Sequence, residues 1–509
     1  MLSKNILVKV ALAVFLVSIT QTACTDDTPP PTANTSTTPI KLTGTPTDDA
    51  HPGTSPTPIE TPTSHTPTTT PDHKPPAHRQ NAQYTLTASL DYGRHHLTVD
   101  EEITYFNNSS DELSELIMMV ETNRYPGTFV LTKLSLEDDQ IVDDYALENN
   151  QLLIKLEKEL LPGDSIELAL SYELNLPSPT PSPDIRPIPF GYTARQANLV
   201  DWYPYIPPYI SGEGWLAHKP GYFGEHQVYE ISDFQVNIRL SDNRSDLTVA
   251  ASAPAELDGE WHRYRHLNAR NFTWSVSHAY VVLTKTVGDV TVMSYSFPFD
   301  RTAGEAVLQT TVEALELYQE LFGPYSRSLL SAVEADFLDG MEFDGLYFLS
   351  NGFYNSYQGV KSDYLIAIAA HETAHQWWYA RVGNDQALEP WLDEAACTYS
   401  ERLYYEHLYP EAMDWWWQYR IYYYQPEGKV NRSIYEPGGY LPYRDAVYLN
   451  GALFFEELRQ TIGDTDFYAF LEDYAAQQAY QIASAADFFA LLRQHTSVDL
   501  SQLIEKYFN

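Results

Sequence analysis

The sequence predicts an α+β protein, in which an N-terminal antiparallel β-sandwich or saddle-shaped domain precedes a mostly helical domain. From about 83 to 286, short segments alternate apolar and polar residues and are separated by turns, a pattern typical of antiparallel sheets. After about 287 the apolar residues recur at helical spacing over 304–322, 363–380 and 389–408. The change of period near 287 predicts the boundary between the two domains.

The strand assignments rest on individual segments. Alternation is clear in Tyr84–Leu90, Leu97–Ile103 and Ser165–Tyr172. A Pro-rich stretch, Pro177–Pro189, is flanked by strand patterns on both sides and is interpreted as a loop inside the β domain. In the helical part, Pro390 stands near the first turn of the third helix, where its missing N–H matters little.

Residues 1–24 are predicted to form an export signal. Lys4 and Lys9 give a positive start, and Val10–Ile19 is an apolar run. Such a run is too short to span a bilayer but suits the core of a signal peptide. We therefore expect the mature protein to work outside the cytoplasm.

Small residues lead up to Cys24, and this arrangement resembles the bacterial lipobox, although Gln21 stands where that motif prefers Leu. The resemblance implies a lipid-anchored protein, with ordinary signal cleavage or an uncleaved anchor as alternatives. Residues 25–82 are dominated by Thr, Pro, Ser and Asp. Such a composition buries little apolar surface and predicts a disordered spacer.

The charge of the chain limits its partners. The formal net charge is −38. A field of this sign repels the phosphate backbone, so nucleic acid is not an expected partner. The membrane is expected as a partner only through the N-terminal lipid.

A metal-binding pattern lies in the second predicted helix. In His371-Glu-Thr-Ala-His375 the two imidazoles are four residues apart and can reach one ion from one helix face. Glu394 lies in the next predicted helix and is expected to be the third ligand, which leaves one position on a single zinc ion for water. Glu372 is expected to be the general base. The pattern therefore predicts a zinc hydrolase.

Three further motifs resemble the gluzincin aminopeptidase family, which includes aminopeptidase N and leukotriene hydrolase. They are Trp391-Leu-Asp-Glu394 for W-L-N-E, Gly340-Met-Glu342 for part of G-A-M-E-N, and Tyr448-Leu-Asn-Gly451 for Y-x-K-G. Asp339 and Phe343 replace the outer Gly and Asn of G-A-M-E-N. The resemblance implies a thermolysin-like zinc catalytic domain over 287–509.

The same resemblance implies roles for residues outside the metal set. Tyr448 would contact the transition state. Glu342 would bind the free α-amino group of a peptide, and Gly340 and Met341 would pair with the extended substrate. The implied activity is that of a zinc aminopeptidase acting on extracytoplasmic peptides.

Two alternatives remain at this level. The first is a zinc endopeptidase with an open site, because the large C-terminal helical domain of many family members has no counterpart after Gly451. The second is a non-catalytic binding module that keeps the fold, which the intact metal set disfavours. The preferred side chain, the physiological substrate, the oligomeric state and the membrane face are not specified by the sequence.

Overall fold

The computed structural model describes residues 81–137, 140–178, 189–242 and 244–509. The predicted signal peptide, Cys24, the linker up to residue 80 and most of the Pro-rich loop lie outside these ranges. Within them, none of the helices combines the length and the apolar character that crossing a bilayer requires.

The first half of the described chain forms β-sheets. Its strands are β1 (Ala82–Asp91), β2 (His96–Phe106), β3 (Leu113–Met119), β4 (Phe129–Leu136), β5 (Gln140–Ile141), β6 (Tyr145–Glu148), β7 (Gln151–Leu160), β8 (Ser165–Asn175), β9 (Gly191–Tyr192), β10 (Gln196–Leu199), β11 (Tyr209–Ile210), β12 (Gly214–Trp215), β13 (Ser232–Leu240), β14 (Thr248–Ala251), β15 (Ala255–Asp258), β16 (Trp261–Ala269) and β17 (Trp274–Ser277). The β-rich N-terminal domain predicted from the alternation is confirmed.

These strands form one large sheet and several smaller ones. The large sheet has the order β15-β16-β13-β1-β2-β8-β4-β5, and the others are β14-β17-β10-β9, β3-β7-β6 and β11-β12. Pairing is antiparallel except between β1 and β13, which run parallel from Ala82 opposite Ser232 to Leu90 opposite Leu240. The alternating side chains of β1 and β2 put one face of the large sheet into the core.

The second half is mostly helical and contains a mixed sheet. Its strands are β18 (Val281–Val287), β19 (Val290–Ser296), β20 (Leu329–Ala335), β21 (Gly340–Phe343), β22 (Leu346–Ser350), β23 (Gly383–Asn384) and β24 (Ile482–Ala483). Its helices are α1 (Arg301–Phe322), α2 (Asn351–Ser356), α3 (Tyr364–Ala374), α4 (Trp391–Leu408), α5 (Met413–Trp415), α6 (Tyr440–Arg444), α7 (Gly451–Ile462), α8 (Asp464–Gln477), α9 (Ala485–His495) and α10 (Ser501–Phe508), with π-helical turns at Trp416–Ile421 and Asp445–Asn450. The mixed sheet has the order β18-β19-β20-β22-β21.

The boundary between the halves differs slightly from the predicted one at 287. Strand β18 pairs with β19 and therefore belongs to the mixed sheet of the second half. The change of sheet falls between Ser277 and Val281. Alternation alone could not locate it, because β18 has the same strand period as the sheets before it.

Helix α3 is shorter than the predicted 363–380. It ends at Ala374, with His375 as the C-cap residue. After the helix end, Trp378 packs against Phe322, at 4.9 Å between ring centroids, and Tyr379 takes a positive φ of 133°, which a continuing helix does not allow. The imidazole spacing survives, since the His375 N–H still hydrogen-bonds to the His371 carbonyl at 3.3 Å.

One carboxyl group lies on the buried face of β2. Glu101 is 0% exposed, between Val99 and Ile103 on the core side of the strand. Burial raises the pKa of Glu101 well above its usual value, with partial opposition from Tyr172. The folded state therefore holds a proton on Glu101 that the unfolded chain releases above its ordinary pKa.

This burial predicts a pH-dependent penalty on folding. Above the unfolded pKa of Glu101, stability falls by about 1.4 kcal/mol per pH unit until the folded pKa is reached. Glu101→Gln should remove that slope and raise the melting temperature at pH 7–8, with little change at pH 4. Thermal unfolding across this pH range measures it, with Glu102→Gln on the exposed face of β2 as the matched control. Parallel stability curves for the wild type and Glu101→Gln would contradict the prediction.

Candidate active site

Helix α3 carries the two histidines into the interior. Asp363 caps its N-terminus by accepting a hydrogen bond of 2.9 Å from the Leu365 N–H. The helix is buried on all sides between Leu365 and Ala374. His371 and His375 are therefore held in a dry environment, at 4% and 1% exposure.

Helix α4 brings Glu394 to the same point. Glu394 Oε2 lies 3.2 Å from His371 Nε2 and 3.6 Å from His375 Nε2. Both separations are close to the roughly 3.4 Å expected between two ligand atoms bound tetrahedrally to one zinc ion at about 2.05 Å. The structure thus brings together the three residues that the sequence predicted as ligands.

The hydrogen bonds of the imidazoles decide which nitrogen faces the ion. His375 Nδ1 lies 3.0 Å from the Trp378 carbonyl oxygen, and His371 Nδ1 lies 2.9 Å from Glu401 Oε1. A carbonyl or a carboxylate only accepts, so each Nδ1 carries the proton and each Nε2 keeps its lone pair. The donor set of two Nε2 atoms and one carboxylate oxygen fits zinc.

A buried ion pair supports His371 from behind. Arg420 binds Glu401 with both ends of its guanidinium, at 2.9 and 2.8 Å, and the Trp416 indole N–H donates to the same carboxylate at 2.9 Å. Burial opposes ionisation of Glu401, but Arg420 and then His371 lower its pKa to about 2. The π-helical turn within the aromatic segment 415–424 therefore fixes the orientation of His371, a predicted zinc ligand.

Glu372 lies beside the metal ligands with little room around it. Its Oε2 atom is buried and has no hydrogen-bond partner among the described residues. A Cβ atom at position 340 would lie 2.0 Å from Glu372 Oε1, so strand β21 can pass this close only because Gly340 has no side chain. The neighbouring carboxyl of Glu342 also lies here, with ligand atoms of Glu342, Glu372 and His375 within 4.8 Å of one another.

A further carboxylate, which no sequence motif indicates, comes from the β-rich half. Carboxylate oxygens of Glu225, Glu342 and Glu394 lie within 4.8 Å of one another, and all three residues are buried. Gly224 allows this approach: it has a φ of +71°, and a Cβ there would lie 2.3 Å from Ile434 Cγ2. Both halves of the chain therefore contribute to one acidic cluster.

The charge of this cluster is unfavourable unless a cation binds. Burial raises the pKa of Glu394 to about 7, with Glu225 and Glu342 adding to the effect and His371 opposing it. Burial also raises the pKa of Asp393, the residue immediately before Glu394 on α4, well above its usual value. Such a site favours the binding of cations, such as metal ions and ammonium groups.

Tyr448 completes the site from the π-helical turn before α7. Its hydroxyl donates a hydrogen bond to Glu394 Oε1, and its ring stacks on His371 at 6.1 Å between centroids. Burial raises the pKa of Tyr448 well above its usual value, so the hydroxyl keeps its proton. Gly451 permits the close packing on α4, because a Cβ there would lie 2.4 Å from Ala395 Cβ.

The fold and this site together define a class of protein. A β-rich domain precedes a mostly helical domain in which His371, His375 and Glu394 converge beside Glu372. This is the arrangement of a gluzincin zinc metallopeptidase.

Comparison with known proteins identifies a domain within the chain. Residues 306–507 match the model of the Peptidase family M1 domain, so this part of the chain is a zinc peptidase domain of that family. No curated protein matches its sequence.

Solved structures of similar fold include an M1 zinc metallopeptidase from Deinococcus radiodurans. It is 17% identical, with a TM-score of 0.59 over 85% of this chain and 95% of that chain. A mutant of the enzyme from Deinococcus radiodurans bound to a Tyr-Ser-Ala substrate is also 17% identical, with a TM-score of 0.58 over 84% of this chain and 93% of that chain. At this identity the likeness concerns the fold.

Proposed function

We propose that this M1 peptidase is an aminopeptidase that removes N-terminal residues from peptides outside the cytoplasm. The observation that carries the proposal is that Glu225 and Glu342 lie beside the predicted metal ligand Glu394, with carboxylate oxygens of all three within 4.8 Å of one another. An ammonium group carries a positive charge and N–H donors, which the carboxylates of Glu225 and Glu342 can accept. A peptide bond in the middle of a chain offers no such cation, so the cluster favours a free N-terminus.

The space next to the cluster supports this choice. A cavity of about 20 Å³ is lined by Glu225, Glu342, Met341 and Gln386, among others. This volume suits a group of the size of one water molecule or one ammonium. The mutant of the Deinococcus radiodurans enzyme was solved with a Tyr-Ser-Ala substrate, and we propose a peptide with a free N-terminus as the substrate class here.

The proposed mechanism assigns one task to each residue. His371, His375 and Glu394 would hold one zinc ion per chain, which when bound supplies a Lewis acid that polarises the scissile carbonyl and acidifies water. Glu372 accepts the proton of the attacking water and passes it to the leaving amine. Tyr448 turns its hydroxyl to the oxyanion that forms.

Two substitutions test the amine site. Glu342→Gln and Glu225→Gln each remove one charge from the cluster, so we expect the preference for a free over an N-acetylated peptide to fall about tenfold to a hundredfold. The ratio of kcat/KM for the two peptides measures this preference, with Glu389→Gln, outside the cluster, as the control. Equal cleavage of both peptides by the wild type would contradict the proposal and identify an endopeptidase.

The cellular location is part of the proposal. The positive start, the short apolar run and Cys24 of the sequence support export and attachment to a membrane through a lipid on that cysteine. The Thr- and Pro-rich residues after it would then act as a spacer between the anchor and the peptidase.

A further inference from the structure

We infer that Gln386 is a positioning residue, which holds the amine-binding carboxylate of Glu342 in place by bridging it to Asp393. The inference rests on the proposed function, because it concerns how Glu342 meets the substrate's N-terminus. Gln386 lies in the segment between β23 and α4 and is only 4% exposed. None of the sequence motifs includes it.

The bridge consists of two hydrogen bonds from one amide nitrogen. Gln386 Nε2 lies 3.0 Å from Glu342 Oε1 and 2.9 Å from Asp393 Oδ2. Carboxylate oxygens accept hydrogen bonds, and the amide nitrogen of glutamine has two hydrogens to donate. One neutral side chain thereby links two buried acids and fixes their orientation relative to each other.

The backbone that carries Gln386 is itself held firmly. The Asp385 carboxylate accepts hydrogen bonds from the N–H groups of Ala387 and Leu388, at 3.1 and 3.0 Å. The Ala387 carbonyl in turn accepts from the Ile434 N–H at 3.0 Å. The amide of Gln386 is therefore presented from a fixed turn, so its bond to Glu342 constrains the carboxylate rather than following it.

The second acid explains why the amide is needed. Asp393 precedes the metal ligand Glu394 on α4, and its Oδ1 atom accepts from the Glu394 N–H at 2.8 Å. Gln386 thus fixes the position of Glu342 on β21 relative to α4, the helix that carries a metal ligand. The ammonium of a bound peptide and its scissile bond must be placed relative to each other, and this bridge connects the groups that bind them.

The test uses Gln386→Met, which keeps an unbranched side chain of similar length but has no N–H donor. With zinc bound, we expect KM for a free peptide to rise about tenfold, with kcat changed less and with kcat/KM for the N-acetylated peptide unchanged. Inhibition by a free amino acid, compared with its N-acetyl form, should weaken by the same factor. Gln386→Leu, which is also close in size and also lacks the N–H donor, serves if the methionine variant does not fold.

The control is Gln196→Met. Gln196 is also fully buried, and its amide nitrogen also makes two hydrogen bonds, to the Tyr280 hydroxyl and the Glu334 carbonyl, but it lies in the β-rich half. The Gln196→Met substitution should lower the melting temperature without changing the ratio of kcat/KM for the free peptide to kcat/KM for the N-acetylated peptide. If Gln386→Met lowered kcat/KM equally for the free and the N-acetylated peptide, or left both unchanged, the inference would be overturned.

The two proposals fail in different ways. An unchanged ratio in Gln386→Met together with a reduced ratio in Glu342→Gln overturns the positioning role alone. A wild-type enzyme without preference for a free N-terminus overturns both.

Discussion

Replacing Glu372 by Gln should leave the protein folded and able to bind zinc while lowering kcat by about a hundredfold to ten-thousandfold. Gln has the shape of Glu but cannot accept a proton from water, and general-base catalysis contributes a factor of this size. Folding should be retained because Glu372 Oε2 has no hydrogen-bond partner among the described residues. Peptide hydrolysis and zinc content by elemental analysis measure the two parts of the prediction.

A buried glutamate outside the site provides the control for this substitution. Glu101→Gln makes the same chemical change in the core of the β-rich half and should keep full activity. Full activity in Glu372→Gln would contradict the assignment of the general base. Loss of zinc together with activity would instead assign Glu372 a structural role at the metal.

The convergence of His371, His375 and Glu394 could be predicted from the sequence because most of the geometry is local. The spacing of His371 and His375 is fixed by one helical turn, and the ligand on α4 lies in a motif with a recognisable flank. The same motif identified Glu372, whereas Tyr448 and Glu342 were placed at the site only by the resemblance to the gluzincin aminopeptidases. Their distances agree with that placement, whereas their roles stay predictions until the variants are measured.

The residues that surround the ligands could be predicted only in part. Glu401 follows Glu394 by seven residues, two helical turns along the same face of α4, so a search for a partner of His371 on that face could have found it. Glu225 and Gln386 lie in irregular segments without a period. Glu225 approaches Glu342 through the packing of the two halves, and Gln386 through the packing of the turn before α4 against β21; no local pattern specifies either contact.

The aromatic segment 415–424 makes polar contacts at the site that its composition does not indicate. Seven of its ten residues are aromatic, and on composition alone this density predicts a packing surface near the site, with a carbohydrate platform as the alternative. In the structure Trp416 is fully buried, and both Trp416 and Arg420 bind Glu401. The segment thus packs near the site, and its polar groups control the metal-binding histidine.

Because Arg420 supports Glu401, its loss should destabilise both the fold and the metal centre. Arg420→Met would leave Glu401 buried without its cationic partner, and breaking a buried pair in this way typically lowers stability by about 3–5 kcal/mol. The hydrogen bond from His371 Nδ1 to Glu401 would also weaken as the carboxylate reorients, and losing such a partner typically lowers metal affinity about tenfold to a hundredfold. Thermal unfolding with and without a chelator, and zinc competition with a chromogenic chelator, measure the two effects.

A second arginine separates the metal effect from a general loss of stability. Arg459 is also buried and binds Glu406, which lies on α4 as Glu401 does, but Glu406 does not contact a metal ligand in the described contacts. Arg459→Met should therefore lower the melting temperature and leave zinc affinity unchanged. Arg420→Lys should restore only part of both properties, because an ammonium cannot reproduce the two-point contact of the guanidinium. If Arg420→Met bound zinc as tightly as the wild type, the pair would stabilise the fold without orienting His371, and the link from the aromatic segment to the metal centre would be refuted.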